Sequence, residues 1–332
     1  MRKIPWGAPW YWAFSQLWSL ASALARAAAE RGWVQSRSLP CRVVSVGNLQ
    51  VGGAGKTPLV AAAARELLAR GKSVGVLTRG YGGSWERTGG TLAPGGSPVS
   101  AEDAGDEALL LRDLVPGVWI GVGADRQAAF DGIVRERGGK PPDVVLLDDG
   151  FQHHKLKRDA EIVALTSHRP WSTLFRDWPR AADRATAAVW TKGAVAPVGW
   201  EKVEGSRRVR ARLVPMVRSG TGESVGGTRQ TPALWLITGV ADGVSVRESL
   251  EAQGVRVRKH VRFRDHARYD GQVINDIMAD ATAAGCAVGV TGKDWVKWRD
   301  LIPPQRWGAI RVFEPAVEIV EGRKAWEEAL WG

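Results

Sequence analysis

Cysteine is nearly absent from this chain. The two present, Cys41 and Cys286 among 332 residues, give no metal-ligand spacing and no disulfide framework, so a reducing cytosol fits. Acidic residues are outnumbered, 35 Asp and Glu against 46 Lys and Arg, for a net charge of +11. That balance implies an anionic partner: nucleic acid, a phosphorylated small molecule or an acidic membrane face. No helix-turn-helix, RNP or zinc pattern accompanies the charge, so nucleic acid is not expected. No internal repeat is evident, and no protein partner is inferred. With 44% hydrophobic and 24% charged residues, disordered and fibrous classes are excluded and two domains with real cores are affordable in length.

What is present is a glycine-rich turn. Val43–Leu59 runs from a β-branched strand through closely spaced glycines into an alanine-rich helix, with Gly55, Lys56 and Thr57 at the junction. Such a turn lets backbone N–H groups converge on phosphate oxygens, with the helix N-terminus adding partial positive charge. Lys56 is placed to reach the β/γ-phosphates and the Thr57 hydroxyl to ligate Mg²⁺. The usual spacing asks for a glycine five residues before Gly55, where this chain has Gln50, so the loop is a variant carried by Gly47, Gly52, Gly53 and Gly55.

Around it, short apolar strands at Arg42–Val46, Ser73–Leu77, Val118–Val122, Asp143–Leu147, Glu161–Leu165 and Ala187–Thr191 are separated by helical stretches such as Leu59–Arg70 and Glu107–Leu114. The alternation predicts a parallel sheet covered by helices. Residues 203–232 read as a connecting segment, polar and loop-like over Arg218–Pro232 and strand-like just before that, where basic and apolar residues alternate. A second α/β lobe follows over 233–332, with strands at Ala233–Thr238, Val255–Val261, Cys286–Thr291 and Ile310–Phe313. The expected organisation is a membrane-associated helix at 1–30, a P-loop NTPase-like domain at 31–202, the connector, and the smaller lobe.

The N-terminal segment carries no charge from Ile4 to Ala25. As a helix it places Trp10, Phe14, Leu17, Trp18, Ala21 and Leu24 on one face and Ser15, Ser19, Ser22 and Arg26 on another. Pro5, Gly7 and Pro9 break its start and polar residues interrupt the rest, while a span takes about 20 predominantly apolar residues. An amphipathic anchor lying in an anionic membrane interface is the expectation, with a helix packed on the protein's own domain as the other reading.

A nucleotide site needs a carboxylate near its metal. Asp148 and Asp149 end an apolar strand, the position from which α/β proteins present ligand-binding groups. A strand-end Asp-Asp-Gly is also an ordinary turn. Together with Val46–Pro58, Thr78–Gly83, Gly105–Glu107, Asp148–His153, Leu156–Asp159, Phe263–His266 and Thr291–Lys297, in that order, the chain resembles the tetraacyldisaccharide 4′-kinase family. The resemblance implies ATP-dependent phosphorylation of the 4′-hydroxyl of an acylated disaccharide phosphate, a lipid A precursor, at the cytoplasmic face of the Gram-negative inner membrane.

Phosphoryl transfer asks a protein for a phosphate cradle, a metal site, a base and cationic groups. Gly52, Gly53, Ala54, Gly55, Lys56 and Thr57 supply the cradle; Thr57 and Asp149 lead the Mg²⁺ ligands, with Asp148, Gln152 and Glu107 as neighbours. The resemblance implies Asp106 as general base and His266 as its assistant from the second lobe. Asp106, just before an apolar run, also reads as a helix N-cap. Arg176 is matched to an arginine that approaches the ATP phosphates, in a stretch several residues shorter than the family's. The basic residues Arg256, Arg258, Lys259, Arg262, Arg264 and Arg268 read either as a lipid-phosphate surface or as solvated strand faces. A nucleotide-switch or metallochaperone GTPase is the rival reading, because Thr291–Asp294 partly imitates a guanine-recognition loop.

Overall fold

The computed structural model describes residues 9–33, 35–51, 53–167, 173–223, 225, 231–265 and 267–332. Gly52 and His266, and the side chain of Trp10, lie outside the described residues. Strands are β1 Arg42–Asn48, β2 Val74–Thr78, β3 Gly90–Leu92, β4 Trp119–Val122, β5 Val144–Asp148, β6 Ala160–Thr166, β7 Ala187–Lys192, β8 Arg208–Ser219, β9 Leu234–Thr238, β10 Val257–Arg262, β11 Ala287–Thr291 and β12 Ile310–Glu321. Helices are α1 Pro9–Glu30, α2 Lys56–Ala69, α3 Trp85–Thr88, α4 Ala101–Ala104, α5 Asp106–Leu114, α6 Arg126–Glu136, α7 Gly243–Glu251, α8 Gly271–Ala283, α9 Gly292–Trp298 and α10 Arg323–Trp331.

All twelve strands join one sheet in the order β10-β9-β11-β12-β8-β7-β6-β1-β5-β2-β4-β3. Pairing is parallel except for β3 on β4 and for β8 on β12. Buried on both faces, β2 and β5 read as near-continuous apolar runs rather than alternating ones, and β1 is buried throughout from Val43 to Asn48. Helix α2 covers one face with Leu59, Val60, Ala63, Ala64 and Leu67, packed in one core with Val44, Val46, Leu146 and, from α10, Trp326 and Leu330. A separate core forms on the other flank around Ile237, Ile274, Val290, Trp295, Trp298 and Val312.

The long antiparallel pair β8–β12 joins the flanks. The segment read from sequence as a connector therefore contains a twelve-residue strand, and β12 runs eight residues past the Phe313 end expected for it. Pro215 and Pro315 stand opposite one another in this pair. A proline offers no ladder donor, which is why the run after Phe313 does not look like a strand.

Helix α1 packs against the body by its polar side. Ser15, Ser19 and Ser22 are buried, whereas Phe14, Leu17, Trp18, Leu20 and Leu24 are exposed. The contacts are hydrogen bonds: the Ser15 hydroxyl accepts from the Phe175 N–H at 2.9 Å, Gln16 accepts from the Trp178 indole at 3.1 Å, and Ser22 donates to Asp177 at 3.3 Å. Arg26 and Arg184 also pair with the buried Asp177 carboxylate, at 3.5 and 3.0 Å. Among the described residues, no helix is long and apolar enough to cross a membrane.

Candidate active site

The phosphate loop leaves the sheet at the carboxyl end of β1 and enters α2 at Lys56. Gly55 holds the position before the helix at φ 80°, a left-handed conformation that favours glycine. The Lys56 ammonium donates to the Asn48 side-chain oxygen at 3.3 Å, and the Asn48 amide donates to the Gln50 carbonyl. Gln50, the departure from regular spacing, is buried and tied to β6: its side chain accepts from the Thr166 hydroxyl at 2.6 Å and donates to the Thr166 carbonyl at 3.3 Å. A glycine there would forfeit both bonds. From β7, the Thr191 hydroxyl donates to the Ala54 carbonyl at 2.8 Å.

The paired acids follow from β5, which lies beside β1. A Cβ at Gly47 would stand 2.5 Å from the Phe151 Cβ, so glycine lets the Asp148–Phe151 turn close against β1. Asp149 is the one non-glycine residue with positive φ among the described residues, at 55°. Aspartate tolerates this region better than most residues, and the turn aims its carboxylate at Lys56, 3.6 Å away, and Arg176, 2.6 Å away. Burial works to raise the Asp149 pKa, but Lys56 and Arg176 outweigh it and hold the carboxyl below its ordinary value. Asp148 behaves oppositely. Burial first, then the charges of Glu107 and Asp149, push it up to about 7, although Lys56 and the hydrogen bond from the Thr78 hydroxyl at 3.0 Å favour the anion. Gln152 points its amide at the Asn48 carbonyl, 3.1 Å away.

Arg176 reaches this cluster because residues 173–176 run back along the phosphate loop. Gln50 and Phe175 form a β-bridge and the Arg176 N–H donates to the Leu49 carbonyl at 2.7 Å.

The donor set fits Mg²⁺. Asp148, Asp149, the Thr57 hydroxyl and Glu107 offer hard oxygen donors, and the Asp149 Oδ1, which faces Lys56 at 3.6 Å, is buried without a hydrogen bond. Among the described residues, no three His, Cys, Asp or Glu side chains converge as a metal cage. Two carboxylates with room for phosphate oxygens and water is the kind of site this ion uses.

Asp106 begins α5 and Gly105 occupies the cap position, so the N-cap reading does not describe it. Its carboxylate is 5% exposed and pairs with Lys297 at 3.2 Å and Lys293 at 3.9 Å, both on α9. Glu107 pairs with Lys293 at 3.6 Å. These two lysines, carried by a motif noticed only as a pattern, are the partners that sequence reasoning missed.

One cavity of about 2180 Å³ runs between the flanks of the sheet, lined by Lys56, Thr57, Glu107, Asp149, Arg176 and Lys293 among others. Asp106 is set back from its surface. The six basic residues from Arg256 to Arg268 are exposed on the edge strand β10 and the chain around it, and none lines the cavity. Charged side chains on an edge strand discourage pairing with other chains. Asp294, needed by the guanine-recognition reading, is fully buried, accepting from the Gly239 N–H, the Tyr269 hydroxyl at 2.7 Å and the Thr291 hydroxyl at 2.7 Å. It anchors the start of α9 instead.

A strand-loop-helix phosphate cradle beside a strand-end acid pair, at the carboxyl edge of a parallel sheet, defines a nucleotide-binding α/β protein of the P-loop class. A family model described as tetraacyldisaccharide-1-P 4′-kinase matches residues 8–331. The chain belongs to this family. It is 38% identical over 297 residues to a tetraacyldisaccharide 4′-kinase of Geobacter metallireducens, covering 84% of this chain and 85% of that protein. Over 339 residues it is 33% identical to the namesake from Anaeromyxobacter sp. strain K, covering 93% and 86%. The crystal structure of LpxK from Aquifex aeolicus in complex with ATP superposes with a TM-score of 0.74 at 26% identity, covering 96% of each chain.

Proposed function

We propose that this protein transfers the γ-phosphate of ATP to the 4′-hydroxyl of a tetraacyldisaccharide 1-phosphate, a lipid A precursor, giving lipid IVA. The observation that carries the reading is the convergence of Lys56, Asp149 and Arg176 on one side of a cavity whose opposite wall comes from the C-terminal flank. The backbone of residues 52–57 and Lys56 hold the phosphates, and Arg176 adds positive charge where the transferred group becomes more anionic. Mg²⁺, held by Thr57 and Asp149 with Asp148, Gln152 and Glu107 around them, neutralises phosphate charge when bound. Asp106 takes the proton of the 4′-hydroxyl, with His266 as its assistant; the Lys293 and Lys297 pairs must yield for the acceptor to reach it. The flank of residues 31–202, with α10 packed on it, and the flank that begins at 233 act as two lobes that approach one another, joined by the β8–β12 pair rather than by a bare connector over 203–232.

The acceptor lies in a membrane, and α1 is built to meet it. The serine face is spent on the protein, which leaves Phe14, Leu17, Trp18 and Leu24 for the headgroup–acyl boundary of the cytoplasmic leaflet of the inner membrane. The net positive charge suits an anionic surface. The test is phosphate transfer from ATP to a defined tetraacyldisaccharide 1-phosphate in detergent, with Mg²⁺, and determination of the phosphorylated position. A product modified at the 4′-oxygen is expected; an unmodified acceptor would refute the proposal.

A further inference from the structure

Lys192 has a place in the cavity but no role in the site described above. It ends β7 and lines the cavity with Gly193, Leu213 and Asp242; its carbonyl accepts from the Trp190 indole at 2.9 Å, while its ammonium makes no hydrogen bond or salt bridge among the described residues. Burial lowers its pKa, and Asp242 alone counters this. A half-buried ammonium with no close counter-ion is costly unless a ligand supplies one.

Its location says which part of a ligand that is. The terminal phosphates belong at Lys56 and the acids after β5, on one side of β1; β7 lies on the other side, beyond β6. At about 4.8 Å per strand, the ends of β5 and β7 are roughly 14 Å apart across the sheet. Its side chain nevertheless turns back over the loop, because a Cβ at Gly53 would stand 3.6 Å from the Lys192 Nζ. Thr191 is already bonded to the loop through the Ala54 carbonyl. The end of β7 thus braces the cradle from the flank away from the reacting phosphate.

We propose that Lys192 binds the nucleoside end of ATP, its aliphatic stem against the adenosine and its ammonium toward the ribose and α-phosphate. This rests on the kinase reading above. A lysine does this as a point charge on an apolar stem, so a methionine keeps the stem and removes the charge.

The test measures dissociation constants of ATP, ADP and AMP for the full chain in detergent, without acceptor, and turnover with acceptor. Lys192→Met is expected to weaken all three nucleotides by about tenfold, the scale of a lost charge-assisted hydrogen bond. Turnover at saturating ATP should fall by less than about threefold, because the contact forms before the chemical step and persists through it. Lys192→Arg should recover most of the affinity. Unchanged affinities, or a loss for ATP and ADP that AMP does not share, would overturn the proposal. Lys192→Gln must give the same pattern and stands in if the methionine variant does not fold. Wild-type protein that binds ATP but leaves the acceptor unphosphorylated would sink the kinase reading while leaving the nucleotide comparison intact.

Discussion

Replacing Asp148 by asparagine tests how the site is charged. Asp148 is 4% exposed, and burial followed by repulsion from Glu107 and Asp149 holds its proton until about pH 7. An unfolded aspartate loses it near pH 4. The folded pKa is the higher one, so between about pH 4 and pH 7 the native state keeps a proton the unfolded chain releases, and stability falls as pH rises. At about 1.4 kcal/mol per pH unit, the cost in metal-free protein is near zero at pH 4 and levels off at about 4 kcal/mol above pH 7. Asparagine keeps the shape and an oxygen for the Thr78 hydroxyl, but never ionises. The variant should match wild type near pH 4 and exceed it near pH 8, by roughly 4–8 °C in unfolding midpoint for a chain this long. His153 and His154, pushed down to about 4 chiefly by burial and then by nearby arginines, give the opposite slope between about pH 4 and pH 6.5. They are common to both proteins and cancel in the difference. Thermal unfolding of both proteins at about pH 5, 6.5 and 8 in a chelator is the assay. A gap that does not grow with pH, or a wild type more stable than the variant near pH 8, would refute the reasoning.

The remaining predictions concern activity and membrane contact. Lys56→Met should weaken ATP binding and reduce turnover together, since the ammonium sits between Asn48 and Asp149 at the phosphate end; normal turnover at saturating ATP would remove it from the cradle. Asp106→Asn should lower turnover by about a hundredfold or more while ATP affinity changes by less than about twofold, read by single-turnover kinetics and equilibrium binding. Serine at Phe14, Leu17, Trp18 and Leu24 together should release the protein from sedimenting anionic vesicles. The midpoint should hardly move, because those side chains are exposed in the folded protein.

Much of the site was legible because phosphate binding and strand-end acids depend on local chain geometry. The Gly55-Lys56-Thr57 junction, β1 and β5 lie within about two residues of their expected bounds, where short apolar runs end at glycine or acid. Pairing with distant residues was not legible. Nothing near Asp106 announces that Lys297, far along the chain, lies 3.2 Å from it. Arg176 met Asp149 through a backbone bridge between Gln50 and Phe175, a contact with no periodicity to betray it. The union of all strands in one sheet was hidden by Pro215 and Pro315, which look like strand ends until they are seen facing each other.

Helix α1 shows why polarity alone does not say which face of a helix is inside. A stripe of serines beside a stripe of aromatics would ordinarily turn the aromatics inward, since burying a large apolar side chain is worth about 1.5–3 kcal/mol. Here the surface beneath the helix offers the Phe175 N–H, the Trp178 indole and the Asp177 carboxylate, groups that need hydrogen-bond partners when covered. Turning the helix over would bury apolar side chains against those groups and leave them unpaired, at about 1–3 kcal/mol each. The polar docking surface therefore sets the orientation, and it commits the apolar stripe to the outside. Asp177, one residue after Arg176, couples that choice to the catalytic cleft: the short segment that brings Arg176 to Asp149 also carries the carboxylate holding Ser22 and Arg26 of α1.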